Sequence, residues 1–139
     1  MFSAGEIPDW LTGSFLRNGP AGYELGRENY NHFFDGLGLL HRWHINNGSV
    51  TYQNKFVRSE SFNEAVGRNR VLAGEFGTRS MPDPCKSMYE QFMSYFVSGD
   101  QSDNDLVSLF RVGEEFYATS ETNYIRKIDP RTLDSAKHK

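Results

Sequence analysis

The chain has 139 residues, with 15 Lys and Arg against 18 Asp and Glu, and its formal net charge is −3 at pH 7. Because this balance is weakly acidic and no basic cluster stands out, the sequence gives no support to nucleic-acid binding. Aromatic residues make up 14% of the chain, which argues against disorder and predicts one modest domain with a hydrophobic core.

The compartment is indicated by what the sequence lacks. Cys85 is the single cysteine, so no internal disulfide forms and a reducing compartment is the default expectation. The first ten residues carry neither the basic start nor the apolar run of a signal peptide, and no apolar run approaches the ~20 residues of a spanning helix. The sequence therefore predicts a cytoplasmic protein, with peripheral membrane association left open.

The first half of the chain predicts extended structure. Residues 1–30 are dense in Gly and Pro, which is typical of loops, and residues 11–17 form the one plausible strand there. Residues 37–58 predict a β-hairpin, because residues 39–46 alternate with period two and Asn47-Gly48 is typical of a hairpin turn.

The second half repeats this plan. Residues 105–128 predict another hairpin, with a strand at 106–112, a turn at 113–115 and a return strand at 116–128. Two hairpins of short strands indicate an all-β meander, as in a propeller or a sandwich. Two units alone do not decide between those architectures.

An amphipathic helix is predicted between the hairpins, over residues 84–97. Asp83 is suited to cap its start and Pro84 to occupy its first turn. One helical face is polar and the other is apolar. The apolar face consists of Cys85, Met88, Tyr89, Phe92, Met93 and Phe96.

Two interpretations of this helix stay open from the periodicity alone. An apolar stripe usually packs on a core, which makes Cys85 a small buried hydrophobe. The alternative is a monotopic membrane contact, with the aromatic and methionine side chains in the lipid interface and Cys85 as an acyl acceptor.

Glu121 is the residue that most needs an explanation. It lies inside the predicted strand 116–128, where a charge is costly unless it is paired, hydrogen-bonded or at the surface. It is therefore either an ordinary solvated residue or a carboxylate held for a partner.

The histidines do not form a predicted metal site. His41 and His44 are three apart, so a strand would place them on opposite faces. No cysteine pair, phosphate-binding loop or nucleophile motif is present. From the residues alone, no complete active site is visible.

A set of motifs nevertheless stands in order along nearly the whole chain. These are PDWLTGSFLRNGP at 8–20, NHFFDG at 31–36, LLH at 39–41, EFGT at 75–78, PDPCK at 82–86 and SETN at 120–123. Together they resemble the carotenoid cleavage oxygenases, in the animal branch of β-carotene oxygenases and the retinoid isomerase of pigment epithelium. The segment YATSETNYIRKI at 117–128 resembles the carotene-cleaving members most.

The resemblance implies a fold and a chemistry. It implies the N-terminal portion of a seven-bladed β-propeller, with ferrous iron held by four histidines on the propeller axis. It also implies oxygen addition across a polyene double bond of a carotenoid, which gives two carbonyl products such as retinal. A retinoid isomerohydrolase that cleaves a retinyl ester is the alternative within the family.

The resemblance also implies roles for particular residues. Glu121 would accept a hydrogen bond from an iron-bound histidine, which fixes that imidazole's orientation. Ser120 and Phe76 would lie near the substrate cavity. The apolar face of the helix at 84–97 would belong to a membrane-facing entrance for apolar substrates.

One departure from the family pattern shapes the functional hypotheses. The chain ends before the family's first iron histidine, and His32 and His41 do not match ligand positions. We therefore expect a fragment covering roughly the first quarter of a dioxygenase, inactive alone, with Glu121 solvated at an open sheet edge. The alternative hypothesis is a non-catalytic, membrane-associating fragment.

Overall fold

The computed structural model describes residues 5–71, 76–78, 87–94 and 102–136. Its strands form three antiparallel sheets, in the orders β1-β4-β5, β2-β3 and β6-β7-β8-β9. The elements run as β1 (Gly13–Ala21), β2 (Glu24–Leu25), β3 (Glu28–Asn29), a 3₁₀ turn (Phe33–Asp35), β4 (Leu37–Asn46), β5 (Ser49–Phe56), α1 (Glu60–Arg68), α2 (Met88–Ser94), β6 (Ser108–Val112), β7 (Glu115–Thr119), β8 (Ile125–Ile128) and β9 (Ser135–Ala136).

The first sheet is built around β4, which pairs with β1 on one side and β5 on the other. The β4–β5 hairpin lies within the predicted range 37–58. Asn47 and Gly48 form its tip with φ of 46° and 70°, a left-handed turn that these two residue types tolerate best. The turn thereby sets the register of the pair.

Strand β1 is longer than the sequence predicts. The expected strand at 11–17 begins at Gly13 and continues to Ala21, paired with β4 from Gly13 opposite Ile45 to Ala21 opposite Leu37. Pro20 fits inside this strand because β1 is at the sheet edge, where a missing backbone donor is tolerated.

The four-stranded sheet β6-β7-β8-β9 shows that the prediction of one return strand at 116–128 is wrong. The chain leaves the β-conformation after Thr119 and re-enters it at Ile125, so this segment is two antiparallel strands, β7 and β8, joined by a loop at 120–124. The β6–β7 turn contains Gly113 at φ 60°, and residue Glu115, predicted in the turn, begins β7.

The three-stranded sheet and the four-stranded sheet share one apolar core. Because side chains alternate along β4, Leu40 points to the four-stranded sheet and Leu37 points to the opposite face. The core between the sheets consists of Leu40, Val57, Ala118, Ile128 and Leu133, with Leu16, Leu109 and Phe116 at its margin. The opposite face of the first sheet carries a second core of Leu25, Tyr30, Leu37, Ala65 and Val71.

Helix α1 contributes to that second core and was not predicted from the sequence, which indicated only one helix. Ser59 caps its start, since its Oγ accepts a hydrogen bond from Phe62 N at 2.8 Å. Asn69 ends it in the left-handed conformation at φ 52°. The described ranges thus form a mostly β fold with two short helices.

Helix α2 begins at Met88, later than the predicted start at Pro84. Ser87 precedes it and forms a capping box with Glu90: Ser87 N donates to the Glu90 carboxylate at 2.9 Å, and Glu90 N donates to Ser87 Oγ at 3.3 Å. The predicted helical positions Cys85 and Phe96 lie outside the described residues.

A buried polar junction at residues 103–105 joins the sheets and α1. The Asn104 side-chain amide donates to Gly36 O at 2.8 Å and accepts from Gly38 N at 2.7 Å, like an added strand. Arg126 donates to the Asp103 carboxylate at 2.7 Å and the Asp105 carboxylate at 3.2 Å. One loop therefore fixes the start of β4 relative to β8.

Candidate functional site

The 3₁₀ turn at Phe33–Asp35 presents two aromatic side chains to the surface. His32 caps it, since its Nδ1 accepts from Phe34 N at 3.2 Å, while Asp35 Oδ2 accepts from His32 N at 3.1 Å. Phe33 and Phe34 are both exposed. The cap fixes the backbone, so these rings project from a defined turn.

The same Asp35 carboxylate binds the segment 76–78. Gly77 N donates to Asp35 Oδ1 at 2.8 Å, and Thr78 Oγ1 donates to Asp35 Oδ2 at 2.5 Å. Thr78 Oγ1 in turn accepts from Asn31 N at 2.7 Å. Asp35 and Thr78 are both buried, so the two segments are connected beneath the surface.

Phe76 lies above this network, against the capped turn. Its ring centroid is 4.8 Å from that of His32 and 6.1 Å from that of Phe34, and its side chain is 72% exposed. We call the surface formed by His32, Phe33, Phe34 and Phe76 the aromatic patch. Its ring faces suit an apolar, conjugated ligand rather than an ionic one.

Tyr23 supports the aromatic patch from one side. Its ring stacks on Phe33 at 6.4 Å between centroids, and its hydroxyl donates to Phe33 O at 2.9 Å. Burial and, second to it, the negative charge of Asp35 raise the pKa of Tyr23 above its ordinary value. The tyrosine therefore stays a neutral donor at physiological pH.

Glu121 and Ser120 lie in the 120–124 loop rather than inside a strand. Glu121 is exposed at a bend, and Ser120 is half-buried with its Oγ 2.9 Å from Thr122 Oγ1. Among the described residues, no hydrogen bond or ring contact joins this loop to Phe76. The structure thus brings Phe76 together with His32 and Phe34, and leaves Glu121 facing solvent.

The described histidines are engaged in hydrogen bonds that do not converge. His41 Nδ1 lies 2.7 Å from the Tyr52 hydroxyl, and His44 Nδ1 lies 3.1 Å from Ser14 Oγ. Within the described ranges, no group of three His, Cys, Asp or Glu side chains could hold a metal ion. These residues therefore do not fit the iron site that the family resemblance implies.

Helix α2 presents the described part of the predicted membrane-contact face. Met88, Tyr89, Phe92 and Met93 are all exposed, with Met88 at 87%. No helix in the described part of the chain is long and apolar enough to cross a membrane. The exposed side chains are those of the amphipathic stripe, so α2 does not bury this face in the core.

Comparison with known proteins defines the class. The family model for retinal pigment epithelial membrane protein matches residues 2–138, so the chain belongs to this family, the carotenoid oxygenases. The chain is 49% identical to human β,β-carotene 15,15′-dioxygenase and 46% identical to the chicken enzyme of that name, each over 133 residues and 94% of the chain. The chain spans about a quarter of the length of these curated relatives, 24% of the human protein.

Solved structures show the fold. A single-residue variant of Synechocystis apocarotenoid oxygenase matches with a TM-score of 0.81 at 24% identity, covering 96% of this chain and 27% of that one. An ACO/RPE65 chimera matches with a TM-score of 0.79 at 24% identity, with the same coverage. The predicted all-β fold class, a portion of a carotenoid oxygenase propeller, is confirmed.

Proposed function

We propose that this chain forms part of a carotenoid oxygenase that cleaves a polyene double bond, with β-carotene cleaved centrally to retinal. The main observation that supports this proposal is the 49% identity to human β,β-carotene 15,15′-dioxygenase. Molecular oxygen adds both atoms across one C=C bond, which breaks to give two aldehydes. The exposed rings of the aromatic patch supply the apolar surface that such a substrate needs.

Ferrous iron is the cofactor that this proposal requires in the whole enzyme. Since the described residues do not fit an iron site, its histidine ligands would come from outside them. Within this chain, Phe76 and Ser120 would line the substrate cavity, and Glu121 would accept a hydrogen bond from an iron-bound imidazole. The exposure of Glu121 at a bend leaves its carboxylate accessible to such a partner.

The test is retinal production from β-carotene, with added ferrous iron, by the full-length enzyme and by the 139-residue chain. We expect activity from the former and none from the latter. In the full-length enzyme, Glu121→Gln should lower activity or metal affinity by about 10–100-fold. Glu114→Gln is the matched control, an exposed carboxylate in the β6–β7 turn. Equal effects of both changes, or turnover by the short chain, would contradict the proposal.

The products also separate the two chemistries of the family. A carotenoid oxygenase yields retinal from β-carotene, whereas an isomerohydrolase yields a retinol from a retinyl ester. Release of retinol from retinyl ester by the full-length enzyme, with β-carotene left intact, would favour the isomerohydrolase alternative.

A membrane contact through α2 is a second proposal, within a cytoplasmic protein that associates peripherally. It is supported by the exposed stripe of Met88, Tyr89, Phe92 and Met93. Liposome flotation should recover the wild type with vesicles and leave Phe92→Glu in the soluble fraction. Val66→Glu, at an exposed apolar position on α1, is the matched control and should float. Flotation of Phe92→Glu with the wild type would contradict the proposal.

A further inference from the structure

Asp35 is fully buried, yet the donors that bind it are neutral. They are the backbone N–H groups of His32 and Gly77 and the hydroxyl of Thr78. A carboxylate has two oxygens and about four lone-pair sites, so it can accept all three hydrogen bonds at once. The donors belong to two chain segments, 31–36 and 76–78, that are about forty residues apart in sequence. Asp35 therefore connects these segments directly.

The connected segments carry the two rings at the centre of the aromatic patch. His32 is the cap residue of the 3₁₀ turn, and Phe76 immediately precedes Gly77, whose N–H binds Asp35. A Cβ added at Gly77 would lie 2.5 Å from His32 Cβ, so the segments approach as closely as a glycine permits. The short distance between the rings of His32 and Phe76 follows from this backbone contact.

We infer that Asp35 and Thr78 are positioning residues for the polyene site. They hold the Phe76 ring against His32 so that the two rings form one wall for a conjugated hydrocarbon chain. This inference rests on the proposed function, since it assigns the aromatic patch to the carotenoid. A ring that is already in place loses little conformational entropy when the ligand binds, so the effect falls on substrate affinity.

The test compares variants of the full-length enzyme in steady-state cleavage of β-carotene. Asp35→Asn keeps the shape but replaces one acceptor oxygen by an NH₂ group, so at least one of the three donors loses its partner. Thr78→Val removes the hydroxyl alone and serves if Asp35→Asn does not fold. We expect each to raise KM about tenfold with kcat within about twofold, the pattern of lost binding rather than lost chemistry. Thr78→Ser, which keeps the hydroxyl, should restore the wild-type KM.

Glu28→Gln is the matched control for general loosening. Its half-buried carboxylate accepts from Val71 N and Arg70 Nε, each at 2.8 Å, so these hydrogen bonds do not involve the segments 31–36 and 76–78. It should lower the thermal midpoint and leave KM unchanged. A KM rise in Glu28→Gln equal to that in Asp35→Asn, or an unchanged KM in both Asp35→Asn and Thr78→Val, would overturn the inference.

A binding titration separates this inference from the proposed function. Quenching of intrinsic fluorescence by β-carotene in detergent micelles gives a Kd for each variant without turnover. A wild-type protein that binds but does not cleave would end the proposed function, and the Kd values would then decide the inference by the same pattern. Absence of saturable binding in the wild type would overturn both.

Discussion

Among the described residues, two aspartates, Asp35 and Asp105, are fully buried, and they are stabilised in different ways. Asp35 accepts three hydrogen bonds from neutral donors, whereas Asp105 accepts from the Arg126 guanidinium. Asp105 Oδ1 has no hydrogen-bond partner among the described residues. Two equally buried carboxylates thus differ: Asp35, beneath the aromatic patch, has all its hydrogen-bond partners, whereas Asp105, at the buried polar junction, has one oxygen without a partner.

The difference shows in the electrostatics. Burial raises the pKa of Asp105 to about 6, and the opposing attraction of Arg126 offsets this only in part. Burial also acts to raise the pKa of Asp103, but hydrogen bonds from Ser61 and Glu60 and the charge of Arg126 lower it overall. The junction therefore depends on a cation and on pH, whereas the Asp35 network depends on neutral hydrogen bonds.

Removal of that cation should have the largest effect. Arg126→Leu leaves Asp103 and Asp105 buried without their counter-charge, and we expect a loss of about 3–5 kcal/mol in the free energy of unfolding. Urea unfolding at pH 7.5 measures it. Lys127→Leu is the control, because this neighbouring cation makes an exposed ion pair with Glu115 and should matter far less. Equal losses would show that the burial of the junction has no energetic consequence.

Asp105→Asn should stabilise the chain, and more at neutral pH than at acidic pH. Because the pKa of Asp105 is raised above the ordinary 3.8, the folded state binds the proton more tightly than the unfolded chain. The free energy of unfolding of the wild type therefore falls as pH rises from about 4 to about 6. Asn is neutral at every pH and avoids this loss, which is about 3 kcal/mol above pH 6 at about 1.4 kcal/mol per pKa unit.

Urea unfolding of Asp105→Asn at pH 7.5 and pH 4.5 measures this gain. We expect about 2–3 kcal/mol at pH 7.5 and about 1 kcal/mol at pH 4.5. Both pH values lie above the acidic range in which Asp103 is protonated. There, because its pKa is lowered in the folded state, stability falls as the pH falls. A gain that does not change with pH would mean that the carboxylate of Asp105 is not the source.

The elements that the sequence predicts correctly are those determined by neighbouring residues. The β4–β5 hairpin follows from alternation with period two and from Asn47-Gly48, both local signals. Helix α1 has a serine cap at Ser59, but its interior includes Asn63 and Gly67, which weaken the helical pattern. Its first turn donates hydrogen bonds to Asp103, a residue distant in sequence. The local sequence pattern therefore gives too weak a signal for this helix.

The candidate site was predictable only in part, for a related reason. Phe76 is indicated only by resemblance to a family. Glu121 stands out locally as a charge in a predicted strand, but its role is implied by the same resemblance. The contact of Phe76 with His32 depends on hydrogen bonds between residues about forty positions apart, for which periodicity gives no signal. The sequence does not predict the loop at 120–124 between β7 and β8. Its residues are polar and include no Gly or Pro, so no local signal marks the end of one strand and the start of the next. The role of Glu121 stays a prediction.

Thr78→Val should have the smallest effect on stability and completes the comparison from the side of Asp35. Valine has nearly the shape of threonine, but it removes one donor to Asp35 and leaves Asn31 N without its acceptor. We expect a loss of about 1–2 kcal/mol in the free energy of unfolding. Urea unfolding at pH 7.5 measures this loss. A loss as large as that of Arg126→Leu would show that the neutral network around Asp35 is as costly to disturb as the charged junction, and the distinction between the two buried aspartates would fail.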